Sequence, residues 1–412
     1  MTAILEKIRN TPRIDYINYL ILLYAFTLSF PGEIKRVIVS LMIILWITDT
    51  KKYNFIIPLN IKKLFITFAI FIIYGLISFL WTEASIKDCI DYIGKYWYLL
   101  PIFIIFKYLK KENIFIILSI FLMGIFISEI LSYGNYLEIW RVGKGNGENP
   151  TVFMYHVFYS IFLAITSLIL LIKILLEKNK KLKFIYIVFF ITVTINLLLN
   201  IGRTGQLSLL LSIIVITLVY FKTNFKYLLY TLLSLIIVIL LNYSYNSSFK
   251  NRIDIIKADI HSAKEDNNFT SSLGGRMGFW ILSKEILMEN PKNLILGIGP
   301  KQHLLEANKL VDTKFPELQY TKELNHFHST YLSIVTQSGF IGLLIFIYII
   351  YQIIQIPIKN NEIHLIKISV LSIFLFSSLV DVPFYKDVTL SLFALFISIF
   401  LVQYRYEAEE NL

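Results

Sequence analysis

Stretches of about 16 to 20 residues with almost no charge recur along nearly the whole chain, separated by short polar connections. A helix rises about 1.5 Å per residue, so such a stretch can cross ~30 Å of hydrocarbon once tilt and flanking residues are allowed for. The pattern predicts an all-α integral membrane protein of about twelve transmembrane helices, at residues 14 to 30, 37 to 48, 64 to 80, 96 to 106, 114 to 131, 153 to 172, 184 to 199, 206 to 221, 227 to 242, 331 to 351, 365 to 380 and 388 to 403. The second and fourth are short and depend on their flanks.

The rhythm breaks once. From Tyr243 to His328, 86 residues run polar, with 11 Lys/Arg and no apolar span. Within them Ile253, Ile256 and Ile260, then Trp280, Ile281, Ile286 and Leu287, show an apolar periodicity that argues against disorder. Two or three short helices lying over the membrane face are predicted there. Three regions result: residues 1–242 with nine spans, a long loop over 243–328, and residues 329–412 with three spans.

Composition agrees, at 56% hydrophobic residues, 16% charged and a mean hydropathy of +0.67. Charge sets the orientation, because short cytoplasmic loops retain Lys and Arg. With the N-terminus inside, the inner segments hold 20 Lys/Arg and the five short outer loops hold eight. Both termini are then cytoplasmic and the long loop lies outside. The net charge of +11 follows from this bias rather than from one basic stripe, so nucleic acid is not an expected partner. Membrane lipids are. The first apolar segment runs into charged Pro31–Arg36 without a small-residue cleavage pattern, and so is expected to stay as a helix.

Several chemistries are pruned. Gly297-Ile-Gly299 lacks the third glycine of a dinucleotide turn, and no phosphate-binding GxxxxGK[ST] occurs. No Asp-x-Asp pair is available to hold a nucleotide sugar through a metal. His326 and His328 are two ligands where a zinc site needs three or four, and the lone Cys89 allows neither an internal disulfide nor a cysteine metal site. No cofactor and no metal are expected. A transporter would place ionisable residues within its spans, whereas here they gather at span ends and in loops, with Glu129 a mild exception.

What remains is a set of arginines and a histidine on one face. Arg203 sits in Asn200-Ile-Gly-Arg-Thr-Gly205, where an arginine can simply snorkel to the headgroups; the flanking glycines favour instead a tight turn that exposes amides beside the guanidinium, as a phosphate oxygen requires. Arg276 in Leu273-Gly-Gly-Arg-Met-Gly-Phe-Trp280 repeats that chemistry at the start of an apolar helix. Arg252 stands in weaker context, as much a solvated charge as a ligand. At 100° per residue, Val335, Gly339 and Gly342 fall in one stripe with His328, which predicts a close helix neighbour fixing the imidazole at the membrane boundary. A neutral imidazole is a suitable base for a hydroxyl, and Glu323, Asn325 and His326 precede it.

These residues resemble the O-antigen ligase and polymerase group of membrane glycosyltransferases, of GT-C type. His328-Ser329, nine residues and then Gly339-Phe-Ile-Gly342 is similar to the ligase signature; Gly275-Arg276 with Trp280 and Leu296-Gly-Ile-Gly299 resembles the family's loop pattern, and Gly202-Arg203-Thr204 its earlier arginine motif. The resemblance covers residues 200–205 and about 274–345, and elsewhere extends only to hydropathy. It implies transfer of a finished glycan from undecaprenyl diphosphate to a sugar hydroxyl of lipid A-core, on the periplasmic side of the inner membrane. Arg203 and Arg276, with Arg252 as a third and weaker contributor, would hold the diphosphate; His328 would accept the hydroxyl proton, with Glu323 as fallback, giving inversion. His326, Glu323 and Trp280 would line the substrate. Loop aromatics, among them Phe269, Phe279, Trp280, Phe315, Tyr320 and Phe327, either stack on sugars or anchor the loop. The same layout fits an O-antigen polymerase, whose acceptor is another donor-linked glycan; the His-Ser-x9-GxxG signature favours the ligase. A ligase acting on protein Ser or Thr would be expected to carry further C-terminal sequence.

Overall fold

The computed structural model describes residues 12–49, 57–222, 224–245 and 247–410. Among them the chain is helical, with no strand. In order the helices are α1 (Arg13–Thr27), α2 (Gly32–Ile47), α3 (Leu59–Ile77), α4 (Ile86–Gly94), α5 (Leu100–Tyr108), α6 (Asn113–Tyr136), α7 (His156–Leu176), α8 (Lys180–Leu199), α9 (Arg203–Tyr220), α10 (Phe225–Tyr245), α11 (Ser247–Glu265), α12 (Ser272–Met288), α13 (Pro291–Leu296), α14 (Gln302–Thr313), α15 (Thr330–Ile354), α16 (Asn361–Val380) and α17 (Asp387–Glu409).

Each of the twelve predicted segments coincides with a helix, but nine helices among the described residues are long and apolar enough to cross a membrane. Helices α1 and α2 have 15 and 16 residues, about 23 Å of rise, short of ~30 Å of hydrocarbon. In α10 the described apolar stretch is Phe225–Ile237. The predicted span at 96–106 is assembled from α4 and α5 with a 3₁₀ turn between them, and reaches membrane length only as Ile86–Tyr108.

The core of the bundle lies where α17, α7, α16 and α15 meet; more than three fifths of each span is buried, against about a fifth of α3 and α8. Phe374, Phe384 and Phe393 interlock there with ring centroids about 5 Å apart. Peripheral helices keep one face apolar and outward: Phe184, Ile185 and Val188 on α8, and Ile66, Ile70 and Ile73 on α3, are exposed. In water that surface would be costly; against lipid it is the expected solution.

The stretch after α10 is not two or three short helices. It contains four helices and a 3₁₀ segment, Pro316–Glu323, and two of the four are long, at 19 and 17 residues. They build a lobe with its own core of Phe269, Phe279, Leu282, Ile286, Val311, Leu318 and Phe327, separate from the bundle's. Phe279 stacks on Phe327 at 4.6 Å. A core of this size accounts for the extra helices, since each covers an apolar stripe of its neighbour. Phe269, Phe279 and Phe327 therefore serve packing and are not sugar platforms, while Trp280 stays 60% exposed. Ion pairs Lys314–Glu285 and Lys322–Asp312 tie the lobe's rim.

Candidate functional site

Helices α15, α16 and α17 run alternately up and down, so the start of α15, the end of α16 and the start of α17 share one end of the bundle. His328, Asp381 and Lys386 stand at those three places. Ser329 caps α15: its hydroxyl accepts from Leu332 N at 3.3 Å and donates to Ser378 O at 3.2 Å, and Thr330 N donates to Asp381 O at 3.0 Å. The small polar residue after the histidine thus pins the start of α15 to the end of α16.

His328 precedes the helix in a left-handed backbone conformation, φ 48°, which is costly for an imidazole-bearing residue and turns it toward the α16–α17 corner. Its amide donates to His326 Nδ1 at 3.3 Å, leaving the other ring nitrogen of His326 as its N–H. The two rings meet edge to face at 4.1 Å. One ligand-type atom from each histidine and one carboxylate oxygen of Asp381 lie within 4.8 Å of one another. Asp381 is almost fully buried; one oxygen accepts from Val382 N at 2.7 Å.

Burial, with the charges of Arg276 and Lys386 nearby, pushes His328 down to about 4. Burial, with His328, Lys386 and Arg276 beside it, pushes His326 down to about 3. Both rings are neutral at pH 7. Burial pushes Asp381 upward from the usual carboxylate range, opposed by Val382 N and by Arg276 and Lys386.

Arg276, in the first turns of α12, reaches across to α16: Nε donates to Val380 O at 3.3 Å and Nη1 to Ser272 O and Oγ at 2.8 and 2.7 Å. All three acceptors are neutral, and Nη2 has no partner among the described residues. Burial lowers this arginine from its ordinary value, with Asp381 opposing and Arg203 reinforcing the shift. Gly275 and Gly278 let the lobe close behind Arg276, since a Cβ at either would press on Tyr320, Leu324 or Thr321.

Arg203 is the first residue of α9 and is exposed. Its glycines do not expose amides to a ligand. Gly202 N donates to Asn200 Oδ1 at 2.6 Å and Gly205 N to Ser160 Oγ at 3.0 Å, and a Cβ on Gly205 would lie 2.2 Å from Ser160 O. They are there so that α9 can lie against α7.

The stripe predicted from His328 through Gly339 and Gly342 does not exist as one helix face. His328 lies outside α15, and the helix breaks at Gly339, φ 61° and ψ −169°. The break frees two carbonyls, and the lobe takes them: Ile298 N donates to Thr336 O at 3.1 Å and Gly299 N to Gln337 O at 2.9 Å. Gly297 and Gly339 meet backbone to backbone, so that a Cβ on Gly339 would fall 2.2 Å from Ile295 O and one on Gly297 2.4 Å from Gln337. The close neighbour is therefore the α13 turn rather than another span. The two glycine motifs are halves of one joint.

Of the other residues that sequence pattern singles out, Glu323 is exposed and has no hydrogen bond or ion pair among the described residues; the carboxylate beside the histidines is Asp381. The side chain of Arg252, on α11, lies outside the described residues. Trp280 is presented outward on α12, and Asn325 is exposed beside His326. Asp381 escapes a reading by pattern because it ends an apolar span, where charged residues are routine. A signal existed: span alternation puts it on the face of His328, and a carboxylate at a helix C-terminus opposes the dipole. It also raises the number of metal-type ligands from two to three. Arg276 and Lys386 set two positive charges against any cation there.

A comparison with known proteins matches residues 187–347 to the family model described as O-Antigen ligase. The chain is also similar to an uncharacterized protein of Haemophilus influenzae, 25% identical over 313 residues, 74% of each chain. The matched segment contains Arg203, Arg276, the histidine pair and the Gly297–Gly339 joint, and the match supports an O-antigen ligase family assignment.

Proposed function

We infer that this protein is an O-antigen ligase, moving a finished glycan from undecaprenyl diphosphate to a sugar hydroxyl of lipid A-core at the periplasmic face of the inner membrane. The observation that carries this reading is the meeting of a buried carboxylate and a neutral histidine pair at one end of the bundle, with Arg276 bonded to the adjoining end of α16. Arg276, with a free Nη2, and exposed Arg203 bind the diphosphate and take up the charge it gains on leaving. The acceptor oxygen attacks the anomeric carbon as the bond to the diphosphate breaks. The leaving group keeps the electron pair, the hydroxyl proton passes to His328, and a single displacement inverts the centre. Asp381 steadies the imidazolium.

An imidazole held near 4 is a weak base until the donor arrives. The diphosphate brings negative charge to the arginines whose field depresses it, and so raises His328 toward the range where it accepts a proton readily. Donor binding thereby arms the base. The lobe is read as the periplasmic loop of residues 243–328, between the helices of 1–242 and those of 329–412. Orientation follows the lysine-rich connections at the other end, which leaves both termini cytoplasmic. Transfer proceeds without a metal: the charge a metal would supply comes from the arginines, and two fixed cations disfavour a third at the histidines.

The test is to purify the full chain, supply undecaprenyl diphosphate glycan and rough lipopolysaccharide, and look for capped product without nucleotide and with excess EDTA. Capped product is expected. Glycan chains lengthening on the donor lipid instead would identify a polymerase, and loss of transfer on chelation with rescue by zinc would reassign His326, His328 and Asp381 as a metal centre.

A further inference from the structure

Beside the histidine pair, three lysines from three parts of the chain converge. Lys95 precedes α5, Lys301 precedes α14, and Lys386 precedes α17; with His326, Ser333 and Tyr385 they line one pocket. None of the three ammonium groups has an ion pair within 4 Å among the described residues; the other two lysines and, opposing them, the carboxylates of Asp387 and Asp91 bear on Lys95 through their charge. Gathering unpaired like charges costs free energy, and Lys301 adds a left-handed backbone, φ 65°. Polar atoms in the lining are also left waiting. The Ser333 hydroxyl and His303 Nδ1, on residues 2% and 5% exposed, have no hydrogen-bond partner. A buried hydroxyl without a hydrogen-bond partner, in a pocket lined by three lysines that form no ion pair among the described residues, suits an anionic ligand.

The surroundings narrow the ligand. Tyr385 lines this pocket and also an apolar cleft walled by Phe71, Ile334, Phe346 and Phe393. An anionic head beside an apolar channel suits an amphiphile. His326, whose ring touches that of His328, forms one wall, so whatever the lysines hold is presented to the same base that faces Arg276. We propose that Lys95, Lys301 and Lys386 bind a phosphate group on the lipid-borne acceptor, in a pocket walled by His326 and distinct from the arginines that hold the donor diphosphate. This rests on the transfer reaction proposed above and adds to it: the acceptor is recognised by its charge, and the two substrates have separate cationic seats.

The experiment measures equilibrium binding and transfer in parallel. The probes are rough lipopolysaccharide with its phosphates intact and the same material dephosphorylated with hydrofluoric acid. They are given to the detergent-solubilised full chain as wild type, Lys301→Ala, Lys386→Ala, and the corresponding Arg variants, with donor binding measured on each. Wild type should bind the phosphorylated acceptor at least tenfold more tightly than the dephosphorylated one. Each Ala variant should lose roughly tenfold on the phosphorylated acceptor only, the usual worth of one charge-assisted contact, and the Arg variants should recover most of it with donor binding unmoved. Equal binding of both acceptors by wild type overturns the inference, as does loss of donor binding in the Ala variants, which would make the pocket a donor seat. Displacement of the acceptor by vesicles of anionic phospholipid as effectively as by the acceptor itself would make it a bulk-lipid site and also overturn it. Retained discrimination in binding with no transfer would instead sink the ligase reading and leave the phosphate seat standing.

Discussion

Arg203 and Arg276 sit in sequence contexts that look alike, a guanidinium between glycines at the start of a helix, yet their surroundings differ. Arg276 is half-buried, bonded to α16 and to its own first turn, with one nitrogen spare. Arg203 is exposed and unbonded among the described residues, and its glycines are consumed by contact with α7. The same motif thus yields a fixed fork in one place and a free cation over a tightly packed helix joint in the other. A glycine next to an arginine says that something comes close, not whether the visitor is a phosphate or a backbone.

The contrast can be tested from both ends of the exchanged bond. His328→Ala removes the proton acceptor and should lower turnover by about 10² to 10⁴ with donor affinity near normal; single-turnover transfer near the wild-type rate would make it a spacer. Arg276→Lys should cost roughly ten- to a hundredfold in donor affinity, because a point charge cannot bond Val380 O, Ser272 and a phosphate together. Arg203→Lys, which has no fork to lose, should cost less than about tenfold. Equal penalties for the two lysine variants would erase the distinction.

Gly205→Ala should destabilise by about 1–3 kcal/mol through overpacking against Ser160 while leaving donor affinity per folded molecule unchanged. Thermal unfolding in detergent with a donor titration checks it, and lost affinity at unchanged stability would return that glycine to the ligand. The smallest effect expected is in pH. The base works deprotonated, so a His328 held near 4 should keep kcat/KM level from about pH 8 to about pH 5, and half of it should be lost near 4. kcat, which reports the donor complex, should fall at higher pH than kcat/KM. Between about 4 and the unfolded histidine value near 6.5 the folded chain binds fewer protons than the unfolded one, so stability is also lost as pH falls through that window. A break in kcat/KM at about 6.5 would mean a solvated ring.

Hydropathy made the spans legible because lipid imposes a length and a polarity on every crossing segment. It said little about where they end: α1 and α2 fell short, and α15 breaks at a glycine inside a segment that reads as one span. His328 and Arg276 were legible from motif spacing. Asp381 and the three lysines were not, because each is an ordinary residue at a helix end, and only the packing of distant segments brings them together. The lobe's aromatics stayed open between two roles, since a ring that closes a small core has the same sequence profile as one that stacks on a sugar.

The joint between Gly297 and Gly339 has a practical reach for chimera construction. The lobe would be cut from relatives at its apparent borders, residues 247 and 328, and grafted between foreign spans. Such a graft carries one glycine of the pair and leaves the other to the host, together with the carbonyls of Thr336 and Gln337 that Ile298 and Gly299 require. The portable unit therefore runs from residue 247 to Gly342, half a membrane span included, and donor and host would be spliced in mid-bilayer.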